Sequence, residues 1–189
     1  MSIDLTPLSV FDMLKIGVGP SSSHTLGPWR AVQRWLAEEA PPSGSVERIR
    51  VHLYGSLALT GRGHATDQAI VLALSGHDPE TIDVASIPTL VAQVADQRSL
   101  RLADGTVIPF DPAADIVFHP DERLPDHPNG MTVEAFTATG STSTAYYSVG
   151  GGFVVGEHDA GDDDVFVQFP FPSYTPGAFR EHCVAAGLS

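Results

Sequence analysis

The 189-residue chain contains one cysteine, Cys183. A single thiol excludes an internal disulfide framework and any metal centre ligated by several cysteines of this chain. Basic residues are also scarce: 10 Lys+Arg stand against 23 Asp+Glu, a formal charge of −13. That balance repels phosphodiester backbones and anionic membrane surfaces, so neither nucleic acid nor a membrane is an expected partner. No apolar run approaches the roughly 18 to 20 residues of a membrane span, and the first residues lack the basic-then-apolar layout of a signal peptide. The chain therefore reads as cytoplasmic. Its eight histidines include no pair at i,i+4 spacing and no HExxH, which argues against a zinc site. The acidic stretch "DAGDDDVF" (159 to 166) lacks the alternate-ligand spacing and closing glutamate of a calcium loop and reads as a solvated loop. No metal ligands are expected in this chain.

What the chain does have is enough apolar material, 42%, for one core. "SVFDMLKIG" (9 to 17) has the spacing of a short helix broken by Gly17, Gly19 and Pro20. Pro28 in a first-turn position, followed by Trp29, Val32, Trp35 and Leu36, predicts a helix over 25–39. "VERIRVHLYGSLA" predicts a strand ending at Gly55, and "TDQAIVLALSG" a helix stopped by Gly76. A further short helix follows Pro88. "TVIPF", "DIVFH", "MTVEAFTA", "TAYYSVGGGFVV" and "DVFVQFPF" are Val-, Phe-, Tyr- and Thr-rich runs separated by Gly, Asp or Pro, and read as strands. Helices first and strands mostly later predict an α+β fold, a mixed and largely antiparallel sheet with helices packed on it. The Pro-rich joint "FPFPSY" and the helical "TPGAFREHCVAAGLS" suggest a domain over 1–172 and a linker into something further over 173–189.

Three polar stretches carry the chemistry. "KIGVGPSSSHTLGP" crowds Ser21, Ser22, Ser23, His24 and Thr25 into a turn that feeds a helix. Hydroxyls there can cap the first-turn N–H groups, and the remaining N–H groups can bind an anion; one serine capping while the others are solvated accounts for the stretch equally well. "GSLALTGRGHATDQAI" puts His64 on a Gly-flexed loop ahead of a helix beginning near Thr66 and Asp67, where imidazole can act as acid or base. "ERLPDHPNGMTVEA" presents His127, Asn129 and Gly130 in a constrained turn. Asn-Gly before an extended run is a hairpin signal, and a His-x-Asn pair can also hydrogen-bond a small polar ligand.

Taken together, "FDMLKIGVGPSSSHTLGP", "YGSLALTGRGHATDQAI", "RLPDHPNGMTVEA" and "YYSVGGGFV" resemble, in order over about residues 9–155, the N-terminal β domain of the iron-sulfur L-serine dehydratases, or L-serine ammonia-lyases. The resemblance implies an α+β fold like the allosteric substrate-binding domain of some 3-phosphoglycerate dehydrogenases. It implies L-serine as substrate, pyruvate and ammonia as products, and a homodimer. It also implies a partner α domain of the same polypeptide that carries a [4Fe-4S] cluster on cysteines. One cysteine cannot supply the cluster ligands, so the cluster is expected to be bound outside these 189 residues and the chain alone to be inactive. By the same resemblance Ser21, Ser22, Ser23 and Thr25 bind substrate. His64 is the acid/base, with Asp67 orienting it and His24 as the alternative base. His127, Asn129 and Gly130 form a second, allosteric serine site. The competing expectation is a regulatory module that binds an amino acid without catalysis.

Overall fold

A computed structural model describes residues 15–42, 44–159, 176–185 and 187. The chain divides into two compact units: Leu14–His158, and Met1–Met13 with Asp159–Ser189. Of the smaller unit, the regular element described is a helix at Pro176–Ala185, in the stretch where a restarted helix is expected. The predicted strand "DVFVQFPF", the expected domain boundary at 172/173 and most of the predicted helix over 9–17 lie outside the described residues; Lys15–Gly17 have no regular structure.

The larger unit is built on a five-stranded sheet. Its strands are β1 (Val46–Tyr54), β4 (Ile116–His119), β5 (Gly130–Thr137), β6 (Gly140–Gly150) and β7 (Phe153–Gly156), in the order β4-β1-β5-β6-β7. β1 and β4 run parallel, with Val51 opposite Ile116; the other pairs are antiparallel, with Val51 opposite Val133 and Met131 opposite Tyr146. The sheet is thus mixed and largely antiparallel, and the fold is α+β as expected. β2 (Ser99–Arg101) and β3 (Val107–Pro109) form a separate two-stranded ribbon. The alternation of β1 is legible in its burial: Val46, Ile49, Val51 and Leu53 are buried, while His52 and Tyr54, on the other face, are half-buried.

Helices α1 (Gly27–Glu38), α3 (Thr66–Leu74) and α4 (Ile87–Gln97) stand close to their predicted positions. α1 is amphipathic, burying Trp29, Val32 and Trp35 at three-residue spacing. In α3, by contrast, every residue from Ala69 to Leu74 is at most 2% exposed. A helix apolar all round must be enclosed, and α3 packs against α1 and α4 within the core that also holds Ile49, Val51, Leu53, Val133 and Ala135. Two short elements, α2 (Gly55–Thr60) and α5 (Pro112–Asp115), were not expected.

Two local expectations are corrected. The stretch around His64 is no open loop: α2 runs directly into a 3₁₀ turn, Gly61–His64, which ends at Ala65 in the left-handed region (φ 55°) before α3 starts. Asn129–Gly130 does not turn a hairpin either. β5 pairs with β6 through the turn at Thr137–Gly140, and the Asn-Gly turn instead carries the chain from β4, at the sheet edge, to β5 on the other side of β1.

Candidate active site

The serine-rich stretch forms a π-helical turn, Ser22–Leu26, that leads into α1. Its start is capped as the sequence suggests, by the Ser21 hydroxyl accepting the His24 amide at 3.1 Å. The widened bonds run from the Leu26 amide to the Ser21 carbonyl at 3.2 Å and from the Gly27 amide to the Ser22 carbonyl. Pro28 lacks the N–H that would return to the His24 carbonyl four residues earlier, so the regular ladder is interrupted there. The Thr66 hydroxyl, at the start of α3, donates to that carbonyl instead. The converse bond runs from the Thr25 hydroxyl to the His64 carbonyl at 2.7 Å. Both threonines are buried, at 3% and 0% exposure, so each hydroxyl is spent on holding the two histidine-bearing turns together.

That double latch brings His24 and His64 face to face, with ring centroids 4.9 Å apart and planes tilted by 38°. The two imidazoles are held differently. His64 Nδ1 lies 2.9 Å from the Thr60 carbonyl, which can only accept, so Nδ1 carries the proton and the lone pair of the neutral ring is on Nε2. His64 Nε2 meets no hydrogen-bond partner among the described residues. His24 is engaged at both nitrogens, by the Ser23 hydroxyl at 3.0 Å on Nδ1 and the Ser56 hydroxyl at 2.9 Å on Nε2. Burial, followed by the neighbouring charge of His64, pushes the His24 pKa below its ordinary 6.5, while the backbone of Ser56 opposes the shift. His24 is therefore a neutral, doubly hydrogen-bonded ring, and His64 one with a free basic nitrogen.

The remaining expected residues fall as follows. Ser23 lies 3.4 Å from Ser21 and hydrogen-bonds His24; Ser22 is exposed. Asp67 is in the first turn of α3 with its carboxylate on the Gln68 amide, and the group that orients the His64 ring is the Thr60 carbonyl. The His127–Gly130 turn is closed on itself by the Asn129 amide donating to His127 Nδ1 at 3.1 Å. It is fastened to β6 by Asn129 Nδ2 to the Ser148 carbonyl at 3.1 Å, and by the Ser148 amide to the Asn129 carbonyl at 3.0 Å. Asp126, in the same turn, hydrogen-bonds Tyr147, whose pKa is raised by burial first and by this carboxylate second. His127 Nε2 and Asn129 Oδ1 have no hydrogen-bond partner among the described residues.

This third turn also meets the first two. The Pro128 carbonyl accepts the Ser56 amide at 2.9 Å, and Gly55, at φ 52°, has no room for a side chain: a Cβ there would stand 2.4 Å from the same carbonyl oxygen. Ser56, Thr60 and Thr66 escaped the sequence reading. Thr60 lies four residues before His64, a spacing that signals contact only once residues 55–64 are read as helical. The signal for Thr66 is Pro28, whose missing N–H requires some other donor for His24.

A mixed five-stranded sheet with helices packed on it, and a histidine pair on two turns locked by hydroxyls, define an α+β domain with two imidazoles brought into contact. The comparison with known proteins specifies the family: the model of the serine dehydratase beta chain matches residues 9–159, and the chain belongs to that family. It is 43% identical over 189 residues to "L-serine dehydratase 1" of Escherichia coli K12, covering 96% of this chain and 41% of that protein. It is 44% identical over 174 residues to an L-serine dehydratase of Streptomyces coelicolor (87% and 38% covered), and 45% over 162 residues to one of Mycobacterium bovis (82% and 34%). The chain thus spans about two fifths of the length of the curated relatives it matches.

Proposed function

We propose that this chain is the β part of an L-serine dehydratase and supplies the acid–base and substrate-holding groups for conversion of L-serine to pyruvate and ammonia. The observation that carries the reading is the asymmetry of the histidine pair: Thr60 fixes the His64 proton on Nδ1 and leaves Nε2 as a free base. In this reading His64 Nε2 takes the Cα proton of serine, the Cβ–O bond breaks as the Cα–Cβ double bond forms, and the departing hydroxyl takes up one proton in return from the His64 imidazolium to leave as water. The resulting aminoacrylate tautomerises to the imine, which adds water to give pyruvate and ammonia. Neutral His24, with Ser21, Ser22 and Ser23 around the start of the π turn, holds the substrate's charged ends, and the buried Thr25 keeps the two turns in register. Asp67 contributes negative charge one turn beyond His64. Between His64 and His24, the free Nε2 favours His64 as the base.

The [4Fe-4S] cluster expected from the resemblance does not fit this chain, which has one cysteine; among the described residues no group of three His, Cys, Asp or Glu side chains is arranged to hold a metal. Under the proposal the cluster belongs to an α domain, assembled with the β part in a homodimer. His127, Asn129 and Gly130 form the second serine site, with His127 Nε2 and Asn129 Oδ1 as its unspent polar groups. No helix among the described residues is long and apolar enough to cross a membrane.

The test is His64→Ala in the full-length enzyme. kcat falls by on the order of 10²-fold or more, the usual contribution of a positioned base, while the cluster absorbance is unchanged. A near-normal kcat with only KM raised assigns His64 to binding and overturns the reading.

A further inference from the structure

The catalytic and regulatory sites proposed above meet at a single side chain. Ser56, the second residue of α2, is held at its backbone by the turn that carries His127 and Asn129, and at its hydroxyl by His24. Its amide donates to the Pro128 carbonyl at 2.9 Å, and its Oγ lies 2.9 Å from His24 Nε2. The flanking geometry leaves little slack. The Gly55 amide donates to the Glu122 carbonyl at 2.8 Å, and Gly55 itself is pressed against the Pro128 carbonyl. The start of α2 is thus fastened to both ends of the segment from Glu122 to Pro128. On the far side, the same turn is tied to β6 through Asn129 and Ser148. A displacement of the turn that shifts Pro128 must move the Ser56 amide or break its bond.

We infer that Ser56 is a positioning residue that transmits the state of the Pro128–Asn129 turn to His24 by setting the hydrogen bond on Nε2. The inference rests on the two-site reading of the function but is defined without a ligand. With Nε2 bonded to Ser56 and Nδ1 to Ser23, one nitrogen donates and the other accepts in the neutral ring, and both donate in the imidazolium. Releasing the Ser56 bond changes which tautomer is favoured and how readily the ring takes a second proton. The groups that face His24 are the Ser23 and Ser56 hydroxyls and, from the Gly61–His64 turn, the imidazole of His64. His64 Nδ1 is set by the Thr60 carbonyl and not by the Ser56 hydroxyl, so loss of that hydroxyl acts directly on His24.

The experiment is a double-mutant cycle read by ring-nitrogen NMR on the 189-residue chain, following the tautomer and apparent pKa of His24 in the wild type, Ser56→Ala, Asn129→Ala and the double variant. One net hydrogen bond corresponds to about half to one pKa unit, so Ser56→Ala shifts the His24 value by up to that amount. Asn129→Ala, which removes the side-chain tie of the turn to β6 and leaves the Ser148 amide on the residue 129 carbonyl, moves His24 in the same direction by a smaller amount and has no further effect once Ser56 is alanine. Ser56→Thr, which keeps the hydroxyl, retains the wild-type tautomer. His127→Ala replaces Asn129→Ala as the perturbation if the latter fails to give a folded spectrum. The inference is overturned if neither turn substitution moves His24, if the shift persists in the Ser56→Ala background, or if Ser56→Thr behaves like Ser56→Ala. A wild-type chain whose turn ignores L-serine would remove the regulatory-site reading and leave this cycle standing, so the two failures are distinguishable.

Discussion

Thr66→Val tests the latch that aligns the two histidines, because it removes a hydroxyl and little else. The side chain is fully buried, its shape is nearly conserved, and Val and Thr have similar helix propensities, so neither a cavity nor local helicity confounds the result. What is lost is the donor to the His24 carbonyl, which Pro28 cannot replace. A buried carbonyl deprived of its partner carries its own desolvation penalty, about 1 to 3 kcal/mol. At a urea dependence of about 2 kcal/mol per molar, the unfolding midpoint drops by roughly 0.5 to 1.5 M with the slope unchanged. Thr25→Val removes the opposite bond of the same latch. Since both hydroxyls join the same two turns, the double variant loses less than the sum of the singles, with a coupling of about 0.5 kcal/mol or more. The same variant weakens the contact between the His24 and His64 rings, visible as a smaller effect of His64→Ala on the titration of His24. A Thr66→Val midpoint within error of the wild type, or strict additivity with Thr25→Val, would refute the reasoning that the two hydroxyls act as one fastening.

Gly27→Ala gains about 1 kcal/mol of helix propensity at φ −58°, yet the new Cβ would stand 2.0 Å from Ser148 Oγ and 2.7 Å from its Cβ. Overpacking of about 1 to 3 kcal/mol wins, the urea midpoint falls, and Ser148→Gly in the same chain restores part of it; a stabilised single variant contradicts the close approach. Gly55→Ala must tolerate both φ 52° and the Pro128 carbonyl, and is expected to be more destabilising than Gly27→Ala; equal midpoints would mean that the turn can move away from α2. His24 and His52 both have pKa values lowered from 6.5, His24 by burial and then His64, His52 by burial and then His119. The unfolded chain therefore takes up these protons first. Their contribution to stability is present above about pH 6.5 and lost as pH falls from there through the folded values. Urea midpoints at pH 7.5, 6.5 and 5.5 fall in that order, and His52→Gln reduces the fall; a slope untouched by the substitution removes His52 from the account.

The elements legible in the sequence were those whose signal is local. The three-residue spacing of Trp29, Val32 and Trp35, the alternation through Ile49, Val51 and Leu53, and the Val/Phe/Tyr runs that lie within the described residues each report burial within one element, and each of these corresponds to a helix or strand observed. Residues 55–64 went unrecognised as helix because three of the ten are glycine, which lowers helix propensity, and because the segment is held by non-local bonds from Gly55 and Ser56 to the 122–128 segment. The Asn-Gly hairpin signal failed for a related reason. Which strands pair is decided by the sheet, and β4 found its place parallel to β1 rather than beside β5.

The site shows the same division. The residues proposed for chemistry and ligand binding, His24, His64, His127 and Asn129, stand out in sequence because they sit among glycines, prolines and serines. Which imidazole has the free nitrogen does not stand out, because it depends on a backbone carbonyl, that of Thr60, and carbonyl groups have no sequence signature. Pro28 is the exception that links the two levels. Its missing N–H can be read from the sequence alone, and it requires that a group distant in the chain approach His24 or that its carbonyl go unbonded inside the protein. Thr66 is that group, 42 residues away and two residues after His64. The covalent peculiarity of one residue thus leaves a carbonyl that the second turn supplies with a donor, and the histidine pair follows from the local order of both segments, His-Thr on one side and His-x-Thr on the other: His24 precedes Thr25 directly, His64 precedes Thr66 by two, and each threonine reaches the histidine carbonyl of the opposite turn.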